Sequence, residues 1–198
     1  MKYVNQLDYP DIPYITRTEL TGAEYEKGQK TTVRSSGCGL CAAVMVADRL
    51  IPNCEFELAD ALALSYETGA NYKSGTTYTV YAPAFAKKLG LRCVITDDVE
   101  QLKDCLLSGG AAVALVTGER DDRVGLFTYG RHYIAIINVE PDGRVAILDP
   151  SYKEGKYEQE GRVGKVEMKN GVIALCDANE VALDGDINEP TFYLFWRE

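Results

Sequence analysis

Apolar residues run almost unbroken from Leu40 to Ile51, where only Asp48 and Arg49 carry charge. A helix apolar on nearly every side belongs inside a protein. Ser35 and Ser36 stand where hydroxyls accept the orphan N–H groups of a first helical turn, and Pro52 disfavours helical geometry at Ile51 and ends the run. The pattern predicts a buried helix opening at Ser35-Ser36-Gly37-Cys38-Gly39-Leu40-Cys41. A second, shorter helix is expected over Phe56–Tyr66, then a loop over Gly69–Gly75. A third helix follows over Thr79–Leu89, with Pro83 confined to the first turn and Gly90 as its stop. Leu91–Ile95 reads as a short strand, and Val99–Leu107 as an amphipathic helix ended by Gly109-Gly110.

The second half changes period. Ala111–Val116 and Tyr133–Val139 are continuous apolar strands. Arg144–Leu148 follows across Pro141-Asp142-Gly143, a hairpin turn signal. Val163–Met168, Val172–Leu175 and Thr191–Trp196 add further strands between turns rich in glycine and aspartate. Helices first and antiparallel strands later indicate an α+β fold, with residues 1–110 mainly helical and 111–198 mainly strand. Ahead of the central helix, Asp8-Tyr9-Pro10-Asp11-Ile12-Pro13-Tyr14 is extended and irregular. Thr16–Gln29 is polar, a short helix or a surface loop. At 198 residues and 46% hydrophobic, the chain suits one domain, or two lobes sharing a cleft.

Charge and cysteines narrow the class. A net charge of -9 and an isoelectric point near 4.8 argue against nucleic acid as a partner, because no basic stripe is available to neutralise phosphates. Six cysteines would suit three disulfides in a secreted protein. However, Met1-Lys2-Tyr3-Val4-Asn5-Gln6-Leu7-Asp8 holds no apolar signal core, and no run reaches the roughly 18 apolar residues of a membrane span. Cys93, Cys105 and Cys176 lie among apolar neighbours, as reduced core thiols do. A cytoplasmic protein without a membrane partner is expected.

Candidate chemistry begins at Cys38. A thiol in the first turn of a helix feels the positive end of the helix dipole, which favours thiolate. Buried cysteines more often serve as small hydrophobes. Cys41, inside the apolar run, fits that role; Cys38, between two glycines, fits it less well. The chain has a single histidine, His132, at the head of an apolar strand, and the next strand finishes at Asp149-Pro150. A cysteine nucleophile needs a base, and the base needs an orienting group. Side chains alternate across strands, so His132 and Asp149 share a face if the hairpin closes with a two- or four-residue loop. A one-residue bulge at Gly143 breaks that parity. Cys38-Gly39-Leu40-Cys41 is also a C-x-x-C at a helix start, the arrangement of thiol–disulfide oxidoreductases; that reading leaves His132 and Asp149 without a role. Zinc is disfavoured for want of paired ligands, and a non-catalytic binding module is the third alternative.

The segments Ser35-Ser36-Gly37-Cys38-Gly39, Gly130-Arg131-His132-Tyr133 and Asp149-Pro150 together resemble the papain-like cysteine peptidases, and among them the bacteriocin-processing (double-glycine leader) peptidases. The resemblance implies a papain-like α+β fold and hydrolysis of a peptide or protein substrate without a cofactor. It makes Cys38 the nucleophile, His132 the general base and acid, and Asp149 the orienting group. It also implies an oxyanion role for Gln6, because Gln6-Leu7-Asp8-Tyr9 matches the family's upstream glutamine context. Leu40 and Cys41 stand where the family usually has proline and threonine, Arg131 is inserted between glycine and histidine, and the span from Gln6 to Cys38 is long.

Overall fold

A computed structural model describes residues 1–16, 31–72, 75–120 and 123–197. The polar stretch Thr16–Gln29 lies, beyond Thr16, outside the described residues.

The central helix, α2 (Cys38–Leu50), is preceded by a short helix, α1 (Val33–Ser36). Both expected capping serines belong to α1, and Ser35 Oγ accepts from the Thr32 N–H at 3.0 Å. Gly37 takes the N-cap position of α2 without a side chain to offer. The reason is that one glycine serves two helices. Its N–H closes α1 on the Val33 carbonyl at 2.8 Å, and a Cβ there would lie 2.6 Å from that oxygen. At the far end, Ile51 is extended ahead of Pro52, as expected.

Helix α3 (Leu58–Thr68) starts two residues later than predicted, where Asp60 Oδ2 accepts from the Glu57 N–H at 2.9 Å. Within the expected loop, β1 (Asn71–Tyr72) pairs with β2 (Gly75–Thr76). Helix α4 (Tyr78–Leu89) holds Pro83 in its second turn rather than its first. The bond this removes would have ended on the carbonyl of Thr79, an exposed residue that water can serve. Strand β3 (Leu91–Thr96) and helix α5 (Val99–Leu107) follow closely where predicted. After β4 (Ala111–Val116), β5 (His132–Val139) and β6 (Arg144–Leu148) come β7 (Val166–Lys169), β8 (Ile173–Asp177), α6 (Ala178–Leu183) and β9 (Phe192–Arg197). The start of β7 falls three residues after Val163, beyond Gly164 with its positive φ of 80°. The sequence pattern did not predict α6, whose N-cap Asp177 accepts from the Asn179 N–H at 2.7 Å.

Seven strands form one antiparallel sheet in the order β3-β9-β4-β5-β6-β8-β7. Its edge strand β3 comes from the mainly helical half. Ala111, Val113 and Leu115 pack with α2, α3 and α4 on one face. Ala112 and Ala114 pack with α5 and α6 on the other. A sheet covered on both faces needs apolar residues at every position, hence the unbroken runs. The fold is mixed helix and antiparallel sheet, and among the described residues no helix is long and apolar enough to cross a membrane.

The β5–β6 hairpin decides the site. Gly143, at φ 87°, closes a tight turn, and the Glu140 N–H donates to the Arg144 carbonyl at 2.7 Å. That register, continued unchanged, would set His132 and Asp149 on opposite faces. A second irregularity intervenes: Ile136 pairs with Ile147 but Asn138 with Ala146, leaving Ile137 as the extra residue of a bulge. The two offsets cancel. Beyond the bulge Ala135 faces Leu148, so His132 and Asp149 recover the same face.

Candidate active site

Each of the three predicted residues sits at the end of an element. Cys38 is the first residue of α2 and is partly exposed, His132 is the first of β5, and Asp149 lies one past β6; the latter two are buried. His132 Nε2 hydrogen-bonds to Asp149 Oδ1 at 2.8 Å, and the imidazole and the Cys38 thiol lie near enough for each to shift the other's ionisation. Sulfur, imidazole and carboxylate are therefore gathered in one place and coupled electrostatically.

The electrostatics follow from that proximity. Burial pushes the Cys38 thiol up, but the hydrogen bond and charge of His132, with backbone hydrogen bonds at Tyr133 and Gly39, bring it below the usual cysteine value. Burial opposes charge on His132, yet Asp149 and Cys38 outweigh it and raise the imidazole to about 9. Asp149 is also desolvated, but His132 and Lys156 hold it well below the usual carboxylate range. The shifts favour thiolate on Cys38, imidazolium on His132 and an ionised carboxylate on Asp149.

Sequence reasoning missed the residues that hold Asp149. Its Oδ1 accepts from the Ser151 N–H at 2.8 Å and from Ser151 Oγ at 3.1 Å. Its Oδ2 accepts from Tyr157 Oη at 2.6 Å and from the buried ammonium of Lys156. Ser151 Oγ also meets His132 Nε2 at 3.1 Å, and Tyr3 Oη donates to the Asp149 carbonyl at 2.7 Å. Asp149-Pro150-Ser151 is a local Asx-type turn, a legible signal. Lys156 and Tyr157 lie in an irregular segment without any.

Gln6 opens a 3-10 turn (Gln6–Asp8) and is nearly buried. Its backbone N–H donates to the Pro150 carbonyl at 2.7 Å, and its side-chain amide donates to the Arg34 carbonyl at 2.7 Å. It thus ties the residue after Asp149 to the short helix before Cys38. Its Oε1 is buried without a partner among the described residues.

Cys38 opens onto a cleft of about 390 Å³, whose walls include Tyr72, Thr76, Arg131, Tyr133 and Glu189. The inserted Arg131 pairs with Glu189 at 2.9 Å, joining the start of β5 to the segment ahead of β9. Cys41 takes the other direction. It is fully buried, burial pushes its thiol up, and both cysteines are free.

The chain matches no protein-family model and no curated protein. Among solved structures it is similar to a crystal structure from Bacillus anthracis proposed to be that of a C39-like peptidase. The identity is 15% and the TM-score 0.41, over 89% of this chain and 98% of that one.

Proposed function

We propose that this chain is a cysteine peptidase of papain-like fold, in which Cys38, His132 and Asp149 hydrolyse a peptide bond through a thioester. The observation that carries the reading is the buried His132–Asp149 hydrogen bond at 2.8 Å beside the Cys38 thiol, whose ionisation that imidazole favours. The Cys38 thiolate attacks the carbonyl carbon of a substrate lying in the cleft. The oxyanion is received by the Cys38 backbone N–H and by the Gln6 amide, whose second N–H is not the one given to Arg34. His132 gives its proton to the leaving amine, which departs and leaves the thioester. The neutral imidazole then takes a proton from water. The hydroxide so formed attacks the thioester, the acid leaves, and Cys38 is expelled as thiolate beside the reprotonated His132, the pair with which the cycle began. Asp149 keeps the ring oriented and its charge balanced throughout.

Alkylation of the native protein with iodoacetamide at pH 6 tests the assignment. Selective modification of Cys38 is expected, falling at least tenfold in His132→Ala. A thiol–disulfide pair would keep its reactivity in that variant, and a binding module would show no selective labelling. Gln6→Ala should lower turnover on peptides by about a hundredfold or more while leaving alkylation unchanged.

A further inference from the structure

Asp149 faces two cations. His132 reaches its Oδ1 from β5, while Lys156, from the segment after β6, reaches Oδ2 and also donates to Ser151 Oγ at 2.8 Å. Ser151 and Tyr157 supply neutral donors to the same carboxylate, and Tyr3 holds its main-chain carbonyl. Among the described residues, Arg162 and Lys153 also bear on Lys156, both repelling it. Lys156 is 5% exposed. An ammonium is costly to bury unless a carboxylate compensates it. Tyr157 already satisfies Oδ2 as a hydrogen-bond donor, so a neutral side chain at 156 would not leave that oxygen unserved. A lysine adds something a hydroxyl cannot: a full positive charge competing with the imidazolium for the same carboxylate.

We propose that Lys156 is a positioning residue that acts through Asp149, dividing the carboxylate's charge between itself and His132 and so limiting how firmly His132 holds its proton. The proposal rests on the reading of Cys38 and His132 as the reacting pair. A fully available Asp149 would lock the imidazolium and make it a poor proton donor to the leaving amine. With Lys156 drawing on Oδ2, the ring stays charged at neutral pH yet can release its proton. Lys156 does not touch substrate in this scheme. It works from behind the carboxylate.

Because His132 is the chain's one histidine, its imidazole nitrogens give an unambiguous NMR titration. Lys156→Met and Lys156→Gln should each raise the His132 midpoint by about one pH unit, since both the competition for Asp149 and the direct repulsion disappear. Lys156→Arg, which keeps the charge, should leave the midpoint at the wild-type value. An unchanged or lowered midpoint in a folded neutral variant overturns the proposal. The wild type supplies a test that needs no neutral variant: the Lys156 ¹⁵Nζ resonance must shift as His132 loses its proton, and a resonance that stays still through that step overturns it equally. Selective alkylation of Cys38 is measured alongside. Its failure sinks the peptidase reading, whereas an unmoved His132 midpoint with Cys38 still selectively alkylated sinks only the role of Lys156.

Discussion

Arg49 Nε donates to the carbonyl of Ile137 at 2.8 Å, so the helix that carries Cys38 at its head holds at its tail the bulge that aligns His132 with Asp149. Bulged residues leave backbone groups out of the ladder, and here a guanidinium serves one of them. Replacing Arg49 by Met removes a charge-assisted hydrogen bond from a carbonyl in the core. We expect a loss of about 2 kcal/mol in urea denaturation. Cys38 alkylation should slow as well, because the register that seats His132 loses its support.

Gly39 is a steric requirement. A Cβ at this position would lie 2.9 Å from Tyr78 Cε2, 3.1 Å from Thr76 Cβ and 3.2 Å from Tyr133 Cδ2. Tyr78 cannot retreat easily, since it is fully buried and its hydroxyl donates to the Gly39 carbonyl at 2.6 Å. Gly39→Ala should therefore cost about 1–3 kcal/mol in thermal or urea unfolding. Because Cys38 is the adjacent residue, alkylation should fall even at temperatures where the variant remains folded.

Asp149→Asn leaves Lys156 buried without its counter-charge. Breaking a buried pair in this way costs about 3–5 kcal/mol, whereas replacing both partners is far milder. The single variant should be strongly destabilised in urea, and the double variant Asp149→Asn/Lys156→Met should recover most of the loss. Neither should retain peptidase turnover, as both lose the carboxylate behind His132.

His132 separates two pH dependences. Its imidazole is raised to about 9 from an ordinary 6.5, so its folded form binds a proton that the unfolded chain releases earlier. The stabilisation is fully present below pH 6.5 and fades as pH rises through about 9. The stability advantage of the wild type over His132→Gln should shrink across that window in melts taken from pH 6 to 10. In the proposed mechanism the imidazolium protonates the leaving amine, so peptide hydrolysis should decline above about pH 9. Alkylation of Cys38, which needs only thiolate, should not.

The helical and strand segments that show up in the sequence are those whose burial imposes a pattern. Leu40–Ile51 and Ala111–Val116 are apolar throughout because α2 is enclosed and the sheet is covered on both faces. The hidden features are small or local. Strands β1 and β2 have two residues each, too short for any period, and α6 spans under two turns. Ser35 and Ser36 suggest a cap because sequence shows their hydroxyls but not that Gly37 joins two helices. In the site, Cys38, His132 and Asp149 stand out as chemically distinctive residues at element ends. The bulge at Ile137 does not, since one more isoleucine in a two-sided apolar strand alters no pattern. Lys156 is equally silent: a lysine in a polar, glycine-marked stretch reads as surface until its carboxylate partner is seen.

The strap made by Tyr3, Asn5 and Gln6 has a consequence in time. These residues leave the ribosome well before their hydrogen-bond acceptors, the carbonyls of Asp149, Pro150 and Tyr152. Contacts spanning so much chain close late, because the loop entropy is spent before any contact forms. During synthesis the helix bearing Cys38 is present long before the strand ends that carry His132 and Asp149. The Cys38 thiol of the nascent chain lacks the buried His132–Asp149 pair until Asp149 has been made.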